Sequence, residues 1–240
     1  MAENRKNVNV RLVTDEKVAE TSSKGNQEKW LERNVWYKLD QLGYEALAET
    51  IVSRFLERSN IEMSGFKFVR YDMGKFNVHG RERVGCVSKS FLKKGESIIT
   101  LARLHSMNLG YKLSEKLTRL PSDKQRIQYL AEETAHLTGL DRFPEYLTML
   151  FEIDALFLND DRHLNNIAVL ERSGKYDYCP IFDNGAALLS NVQISRMDIA
   201  PKALIPTLRA RPFNTTFTRQ MNTARRLYGE QLEMPHLTEA

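Results

Sequence analysis

The segment that decides the fold is LFLNDDRHLNNIAVL, residues 156–170, together with IFDNG, residues 181–185. Upstream, EYLTMLFEIDALFL (145–158) is apolar on nearly every side over about four turns, which predicts a helix buried in a domain centre. Charged and amide side chains follow this helix at once: Asp160, Asp161, Arg162, His163, Asn165 and Asn166. Burying a helix only to end it in such groups is costly unless they have a function. The loop after the helix is therefore the first candidate for a functional site.

Two short strands are predicted after the loop, at 167–170 and 178–182, and Gly174 lies in the polar turn between them. This pattern predicts a β-hairpin whose far end carries Asp183 beside a glycine. Asp161 and Asn166, five residues apart, precede the hairpin, so their side chains and that of Asp183 would converge at one end.

Oxygen ligands of this kind suit magnesium, which proteins hold by one or two carboxylates together with substrate phosphates. An Asp, an Asn five residues later and an Asp-x-Gly after a hairpin also follow the order of the catalytic base, metal-binding Asn and metal-binding Asp of kinases. The alternative is a helix end followed by two polar turns, because Asp-x-Gly alone is a common turn sequence. The whole order is much rarer than its parts and favours the kinase interpretation.

DRHLNN (161–166) followed by FDNG (182–185) resembles the active-site pair of HipA-like kinases and, more distantly, that of phosphatidylinositol kinases, which also use Asp-Arg-His. The resemblance to HipA-like kinases extends over about 22–228. It implies an α+β, two-lobed protein-kinase-like fold. A small β-rich N-lobe with one helix would occupy 1–90, and a mainly helical C-lobe with the catalytic hairpin would occupy 91–240.

The same resemblance implies ATP and Mg²⁺ as cofactors. Asn166 and Asp183 would hold the metal, and Asp161 would accept or orient the proton of the acceptor. His163 would shape the catalytic loop, because Asp161 already supplies a carboxylate for the role of base.

A second stretch, TSSKGNQEKWL (21–31), places a glycine among small polar residues, and glycine lets backbone amides approach phosphates closely. Taken alone it is most often an ordinary loop. It resembles the Ser-x-x-Gly-x-Gln-x-Lys phosphate loop of HipA-like kinases, which implies nucleotide contacts from Ser22, Ser23, Lys24, Gly25, Gln27 and Lys29. The resemblance also implies that Ser22 is an autophosphorylation site.

VWYKL (35–39) is predicted to be a strand, and Lys38 in its interior is placed where a kinase has its phosphate-binding lysine. The alternative is an outward lysine on a surface strand. A helix is predicted at 42–58, with Glu45 and Glu49 one turn apart on one face. Either glutamate could pair with Lys38 or be solvated, and the resemblance of GYEALAE to the family favours Glu45.

FKFVRY (66–71) is a strand candidate, and the resemblance implies that its end is the hinge, where backbone groups of Val69 and Tyr71 bind adenine. Gly80 marks a turn before a strand at 83–87. From residue 96 the chain is predicted to be mainly helical, with helices at 97–107, 114–117, 123–138, 144–158 and 216–228.

Composition bounds these interpretations. A chain of 240 residues, 42% of them hydrophobic, is enough for one large domain or two small lobes. Two cysteines without a disulfide or metal-ligand pattern favour a reducing, cytoplasmic location. A net charge of +4 permits ATP or an acidic protein as partner, and the sequence carries no direct nucleic-acid or membrane signal.

The stretch 199–229 contains no acidic residue, although it contains several basic ones: Lys202, Arg209, Arg211, Arg219, Arg225 and Arg226. Such a stretch is usually a solvated face. The alternative is a surface that docks an acidic substrate or a phosphorylated loop.

The function that these patterns favour is transfer of the γ-phosphoryl group of ATP to a Ser or Thr hydroxyl of an unknown protein substrate. A lipid or small-molecule kinase would use the same ATP residues, although the lack of a membrane-binding segment counts mildly against lipids. A non-catalytic nucleotide-binding protein is the third class. It is less economical, because every polar group that the chemistry requires is present.

Overall fold

The computed structural model describes residues 28–235. Most of the predicted phosphate loop therefore lies outside the described residues, including Ser22, Ser23, Lys24, Gly25 and Gln27. No helix within the described range is long and apolar enough to cross a membrane.

A four-stranded antiparallel sheet forms the N-terminal part, in the order β1-β2-β4-β3. Its strands are β1 (Lys29–Glu32), β2 (Val35–Leu39), β3 (Asp72–Val78) and β4 (Arg81–Lys89). The predicted strand around Lys38 is thus confirmed. Helix α1 (Glu45–Leu56) connects β2 to β3 and packs against the sheet.

Gly85 lets β4 lie close to β2, the strand that carries Lys38. A Cβ atom at this position would collide with the carbonyl oxygen of Lys38, so a larger residue would push β4 away from β2. The requirement for glycine here follows from close backbone approach rather than from a turn.

The second sheet is three-stranded and antiparallel, in the order β5-β6-β7. Its strands are β5 (Ser97–Thr100), β6 (Ala168–Arg172) and β7 (Lys175–Tyr178). Helices make up most of the remaining C-terminal part: α2 (Leu101–Leu109), α3 (Leu113–Arg119), α4 (Asp123–Thr138), α5 (Phe143–Phe157), α6 (Pro201–Leu204) and α7 (Phe217–Tyr228). The chain passes from the first sheet to the second through residues 90–96.

Helix α5 is the buried centre that its sequence predicts. Met149, Leu150 and Ile153 are at most 1% exposed, and the core around them extends from α1 to α7. Each such side chain contributes roughly 1.5–3 kcal/mol when it is fully removed from water. The helix is therefore a rigid base for the loop that follows it.

Three predicted elements differ from the structure. The second strand of the hairpin is Lys175–Tyr178 rather than 178–182, and within 179–182 only Ile181 forms an isolated bridge. FKFVRY is not a regular strand, because its one bridge joins Phe68 to Ile181, and β3 begins at Asp72. The helix predicted at 97–107 begins instead as strand β5, and α2 starts after Thr100, whose hydroxyl accepts a hydrogen bond from the N–H of Arg103. The β-branched residues of β5 pair with β6, and this pairing outweighs the helical pattern.

Candidate active site

The loop after α5 is held in shape by its own backbone. The chain reverses at Leu158, which has a left-handed φ of 58°. The N–H of His163 donates to the carbonyl of Asp161 at 2.8 Å, and the N–H of Asn166 donates to the carbonyl of His163 at 2.8 Å. The side-chain amide of Asn166 donates to the carbonyl of Asp161 at 3.0 Å. The two residues predicted to act as base and metal ligand are therefore fixed relative to each other.

Arg162 anchors this loop from beneath. Its side chain is 0% exposed and pairs with the equally buried Asp154 on α5 at 3.0 Å. The guanidinium also donates to the carbonyl of Phe182 at 2.6 Å, to the carbonyl of Asn166 at 3.3 Å and to the side-chain oxygen of Asn184 at 2.7 Å. One side chain thus joins the buried helix, the loop that follows it and the Asp183-Asn184-Gly185 turn.

Burial raises the pKa of Asp154, and Arg162 opposes this shift by its charge and hydrogen bonds. A buried carboxylate of this kind needs a cation beside it to stay ionised. The sequence pointed to Arg162 only through the Asp-Arg-His motif and gave no sign of Asp154.

Lys38 connects the two halves of the site. Its Nζ lies 2.7 Å from an oxygen of Glu49 and 2.7 Å from an oxygen of Asp183. Burial alone would lower the pKa of Lys38, but the carboxylates of Asp183 and Glu49 raise it well above its ordinary value. The lysine is therefore a fixed positive charge at neutral pH.

The partner of Lys38 is Glu49, and the prediction of Glu45 is wrong. Glu45 is the first residue of α1, where its carboxylate accepts hydrogen bonds from the N–H groups of Leu42 at 2.6 Å and Gly43 at 3.1 Å. Backbone N–H groups before and within the first turn lack helical partners and attract a carboxylate.

Glu49 also contacts the Asp183-Asn184-Gly185 turn. Its second carboxylate oxygen accepts a hydrogen bond from the N–H of Asn184 at 2.9 Å, and its side chain is 0% exposed. Burial raises the pKa of Glu49, although Lys38 opposes this shift. The glutamate therefore depends on Lys38 to remain ionised.

Asp183 is an ionised carboxylate in the middle of the site. Burial would raise its pKa, but Lys38 and then Lys29 lower the pKa of Asp183 below its ordinary range. Its backbone is left-handed, with a φ of 62°. This conformation costs a non-glycine residue on the order of 1 kcal/mol, and such strain is concentrated at functional sites.

Asn166 and Asp183 fit the role of magnesium ligands. The amide nitrogen of Asn166 is engaged by Asp161, which leaves the amide oxygen as the ligand atom. Carboxylate and amide oxygens are hard donors of the kind that magnesium prefers. Within residues 28–235, no three His, Cys, Asp or Glu side chains form a metal-binding group, so this pair would require phosphate oxygens to complete a coordination shell.

Val69 and Tyr71 are close to the site, but not as a hinge. The N–H of Val69 donates to the carbonyl of Ile181 at 2.9 Å, and that of Tyr71 donates to the hydroxyl of Ser53 at 3.2 Å. Both residues precede β3 in the N-terminal part, whereas 90–96 connects the two parts. The prediction that their backbone forms the hinge is therefore wrong.

The side chains of Val69 and Tyr71 instead line a small cavity beside Lys38, whose Nζ lies 5.2 Å from the centre of the Tyr71 ring. Other residues that line this cavity are Lys29, Trp36, Ser88, Phe91, Ile98, Phe182 and Asp183. The walls are aromatic and aliphatic, with a lysine and a carboxylate at one end. The cavity has a volume of about 50 Å³, below the range of about 300–1,000 Å³ that is usual for ligand sites, so a nucleotide would have to widen it. Lys29 is the residue of the predicted phosphate loop that the structure places here.

Asp161 and His163 lie at the open side of the loop. The side chain of Asp161 is 60% exposed, and the Nε2 atom of His163 lies 3.8 Å from its carboxylate. The surrounding protein removes part of the water around Asp161 and raises its pKa; His163 opposes this shift, and Asp183 adds to it. Asp161 is thus accessible to an acceptor, while the role of His163 in shaping the loop stays a prediction.

No family model and no curated protein sequence matches this chain. Among solved structures, the chain is similar to the proinflammatory kinase CtkA of Helicobacter pylori, with a TM-score of 0.54 and 18% sequence identity over 76% of this chain and 62% of that one. The chain has a two-lobed kinase fold. The prediction of a kinase-like fold is confirmed.

A second similar structure is HipA of Shewanella oneidensis MR-1, solved with HipB and operator DNA. Its TM-score is 0.43, with 14% identity over 86% of this chain and 56% of that one. The matches thus span about three-fifths of the length of these two neighbours. The similarity to CtkA, at 18% identity, shows the fold alone.

Proposed function

We propose that this protein is an ATP-dependent kinase that transfers the γ-phosphoryl group to Ser or Thr hydroxyls of a protein. The observation that carries this proposal is the ion-paired series Glu49–Lys38–Asp183, which is joined through Asn184 and Arg162 to the loop of Asp161 and Asn166. A solvated lysine or a simple polar turn requires no such series. Phosphoryl transfer does, because its catalysis consists mainly of positioning and charge stabilisation.

In this mechanism Lys38 binds the phosphates of ATP, and Glu49 holds the lysine in place. Asp161 accepts or orients the proton of the acceptor hydroxyl from the exposed side of the loop. Magnesium, held by Asn166 and Asp183, would supply charge neutralisation at the phosphates. Arg162 does not touch the substrate, and it positions Asn166 and the Asp183 turn through hydrogen bonds.

Transfer of labelled phosphate from ATP in the presence of magnesium tests the proposal. The protein would be incubated separately with a protein mixture, with inositol lipids and with small alcohols. We expect label in protein Ser or Thr. Label confined to lipid or to an alcohol would assign the same site to another substrate class, and ATP binding without transfer in any mixture would favour a binding protein.

The proposed kinase includes autophosphorylation at Ser22, which would switch the enzyme off. Phosphate adds nearly two negative charges, and these would repel the phosphates of ATP if the predicted loop covers them. Peptide mapping after incubation with ATP and magnesium is the test, with Ser23 as the alternative site. Phosphate on neither serine, or full activity of Ser22→Asp, would remove the switch and leave the ATP site untouched.

A further inference from the structure

A groove with a volume of about 800 Å³ opens beside the catalytic loop, on the side where Asp161 and His163 are exposed. Its other walls come from α2, α3 and the segment 211–214. The cavity beside Lys38 has different lining residues, and Asp183 belongs to that cavity. The groove therefore adjoins the candidate base and is separate from the nucleotide cavity, as an acceptor site must be.

The lining of the groove suits an extended polypeptide. Its floor is apolar, because Leu113, Leu117 and Phe213 are at most 7% exposed. Its rim carries exposed hydroxyl and amide side chains, which can bond to a peptide backbone: Ser106, Ser114, Thr118, Asn165 and Asn214. A volume of this size lies within the range of about 300–1,000 Å³ that is usual for ligand sites.

The charge of the groove is positive. Lys112, Arg126 and Arg211 line it, and Asp161 is the one carboxylate among the described lining residues. The guanidinium of Arg126 is engaged within the protein, because it donates to the carbonyls of Leu117 and Leu120 and pairs with Asp123. Two cations are left to face a ligand.

Lys112 and Arg211 differ from Arg126 in their surroundings. Lys112 is 78% exposed, and its nearest acid is the exposed Glu115 at 3.7 Å. Arg211 is exposed and forms no ion pair with any residue in 28–235, although its charge acts on Asp160 and on the catalytic Asp161. Arg211 lines the same groove as Asp161 and has no ion-pair partner within residues 28–235, so it is placed to attract negative charge on the acceptor.

Of the basic residues in the stretch 199–229, Arg211 is the one that lines the groove, and several others are engaged elsewhere. Arg219 pairs with Asp123 at 2.6 Å, and Arg225 pairs with Glu152 at 2.6 Å. Arg209 donates to the carbonyls of Pro206 and Leu208. The basic stretch therefore contributes one residue, Arg211, to the groove.

We propose that this groove binds the acceptor segment and that Arg211, with Lys112, selects Ser or Thr acceptors flanked by acidic residues. The proposal rests on the proposed kinase function and names the substrate class of the same site. Opposite charges at an exposed rim mainly determine which partner binds and how fast.

The first test measures binding without catalysis. Two short fluorescent peptides would carry alanine in place of the acceptor serine, one with flanking glutamates and one with flanking glutamines. Fluorescence anisotropy with the full chain should show about threefold to tenfold tighter binding of the glutamate peptide at low salt, and the difference should shrink as salt is added. Equal binding of the two peptides would overturn the proposal.

Charge reversal then assigns the effect to a residue. Arg211→Glu should remove the preference for glutamate, while Arg226→Glu makes the same charge change at an exposed residue of α7 that does not line the groove. Equal losses in the two variants would mean that overall charge, rather than the groove, attracts the peptide, and would reject the assignment.

Serine versions of the same peptides connect this site to the reaction. We expect Arg211→Glu to lower the ratio of kcat/KM for the acidic peptide to kcat/KM for the neutral peptide by a similar factor, and to leave ATP binding unchanged. Transfer without any preference for acidic flanks would defeat the present inference alone. Selective binding without transfer to any peptide would support the groove and count against the kinase function.

Discussion

Glu45 and Glu49 lie one helical turn apart on α1, and the structure gives them different functions. Glu45 accepts hydrogen bonds from backbone N–H groups at the start of the helix, which is a contribution to stability. Glu49 is buried between Lys38 and the N–H of Asn184, which is a contribution to the site. Changing each glutamate to glutamine separates the contribution to stability from the contribution to the site.

Glu49→Gln should lower the phosphoryl-transfer rate by about a hundredfold, because a displaced catalytic lysine costs positioning rather than folding. Glu45→Gln should keep most of the activity and lower the melting temperature by about 2–4 °C, as expected for the loss of about 1 kcal/mol at a helix start. Initial rates and thermal unfolding of both variants are the measurement. The reverse pattern would restore Glu45 as the partner of Lys38.

Asp161→Asn should reduce transfer by about 10²–10⁴-fold, because the amide cannot accept the acceptor proton. ATP binding should be retained, since Asp161 faces the acceptor. Asp160→Asn is the matched control and should turn over like the wild type. If the two variants exchange these results, Asp160 is the base. Because the pKa of Asp161 is raised, the acidic limb of the kcat/KM profile should lie above about 3.9, the ordinary value for aspartate.

At the level of elements, the sequence predicted what local pattern determines. The apolar run of α5, the strand around Lys38 and the hairpin around Gly174 each carry their period in adjacent residues, and all are present. β5 was missed, because a strand of four residues depends on its partner β6, which lies about 70 residues away in the chain.

The site divides in the same way. The order of Asp161, Asn166 and Asp183 is a local feature of the sequence, and it was enough to predict phosphoryl transfer. The function of Asp154 could not be predicted from the sequence, because it depends on the burial of Arg162 between three segments. Whether Glu45 or Glu49 pairs with Lys38 depends on the angle at which α1 packs against β2. The spacing of residues along the chain does not predict that angle.

Arg162 joins helix α5, the loop after it and the Asp183 turn. Its substitution therefore tests whether these contacts position the site. Arg162→Lys keeps the charge but cannot maintain all the fork-shaped contacts with Asp154, Phe182 and Asn184. We expect a loss of about 1–3 kcal/mol in the free energy of unfolding from buried groups left without partners, together with a lower kcat. Urea unfolding measures the first and initial rates the second.

The exposed Arg172 in the β6–β7 hairpin offers a control for this substitution. Arg172→Lys should change neither quantity. An Arg162→Lys variant as stable and active as Arg172→Lys would mean that the buried contacts do not position the loop.

At the level of the whole molecule, the candidate nucleotide cavity lies where the two sheets meet. Its residues come from the first sheet, from the segment before β3, from the connection 90–96, from β5 and from the Asp183 turn. The pair of Lys38 and Asp183 joins the two parts directly, across 145 residues of chain. A ligand that binds both residues should therefore stabilise the molecule as one unit.

ATP should raise the melting temperature in proportion to how much of the folded protein binds it. At a nucleotide concentration of about 100 times Kd, the gain is about 2.7 kcal/mol, which corresponds to roughly 5–10 °C for a domain of this size. Asp183→Ala should lose the part of this shift that requires magnesium, because the proposed role of its ionised carboxylate is to bind the metal. Lys38→Ala should lose stabilisation with and without the metal, because the proposed role of Lys38 is to contact phosphate directly. Thermal unfolding of the three proteins with ATP, with and without magnesium, separates these roles. A wild type that does not respond to millimolar ATP would contradict nucleotide binding, and the kinase function would fail with it.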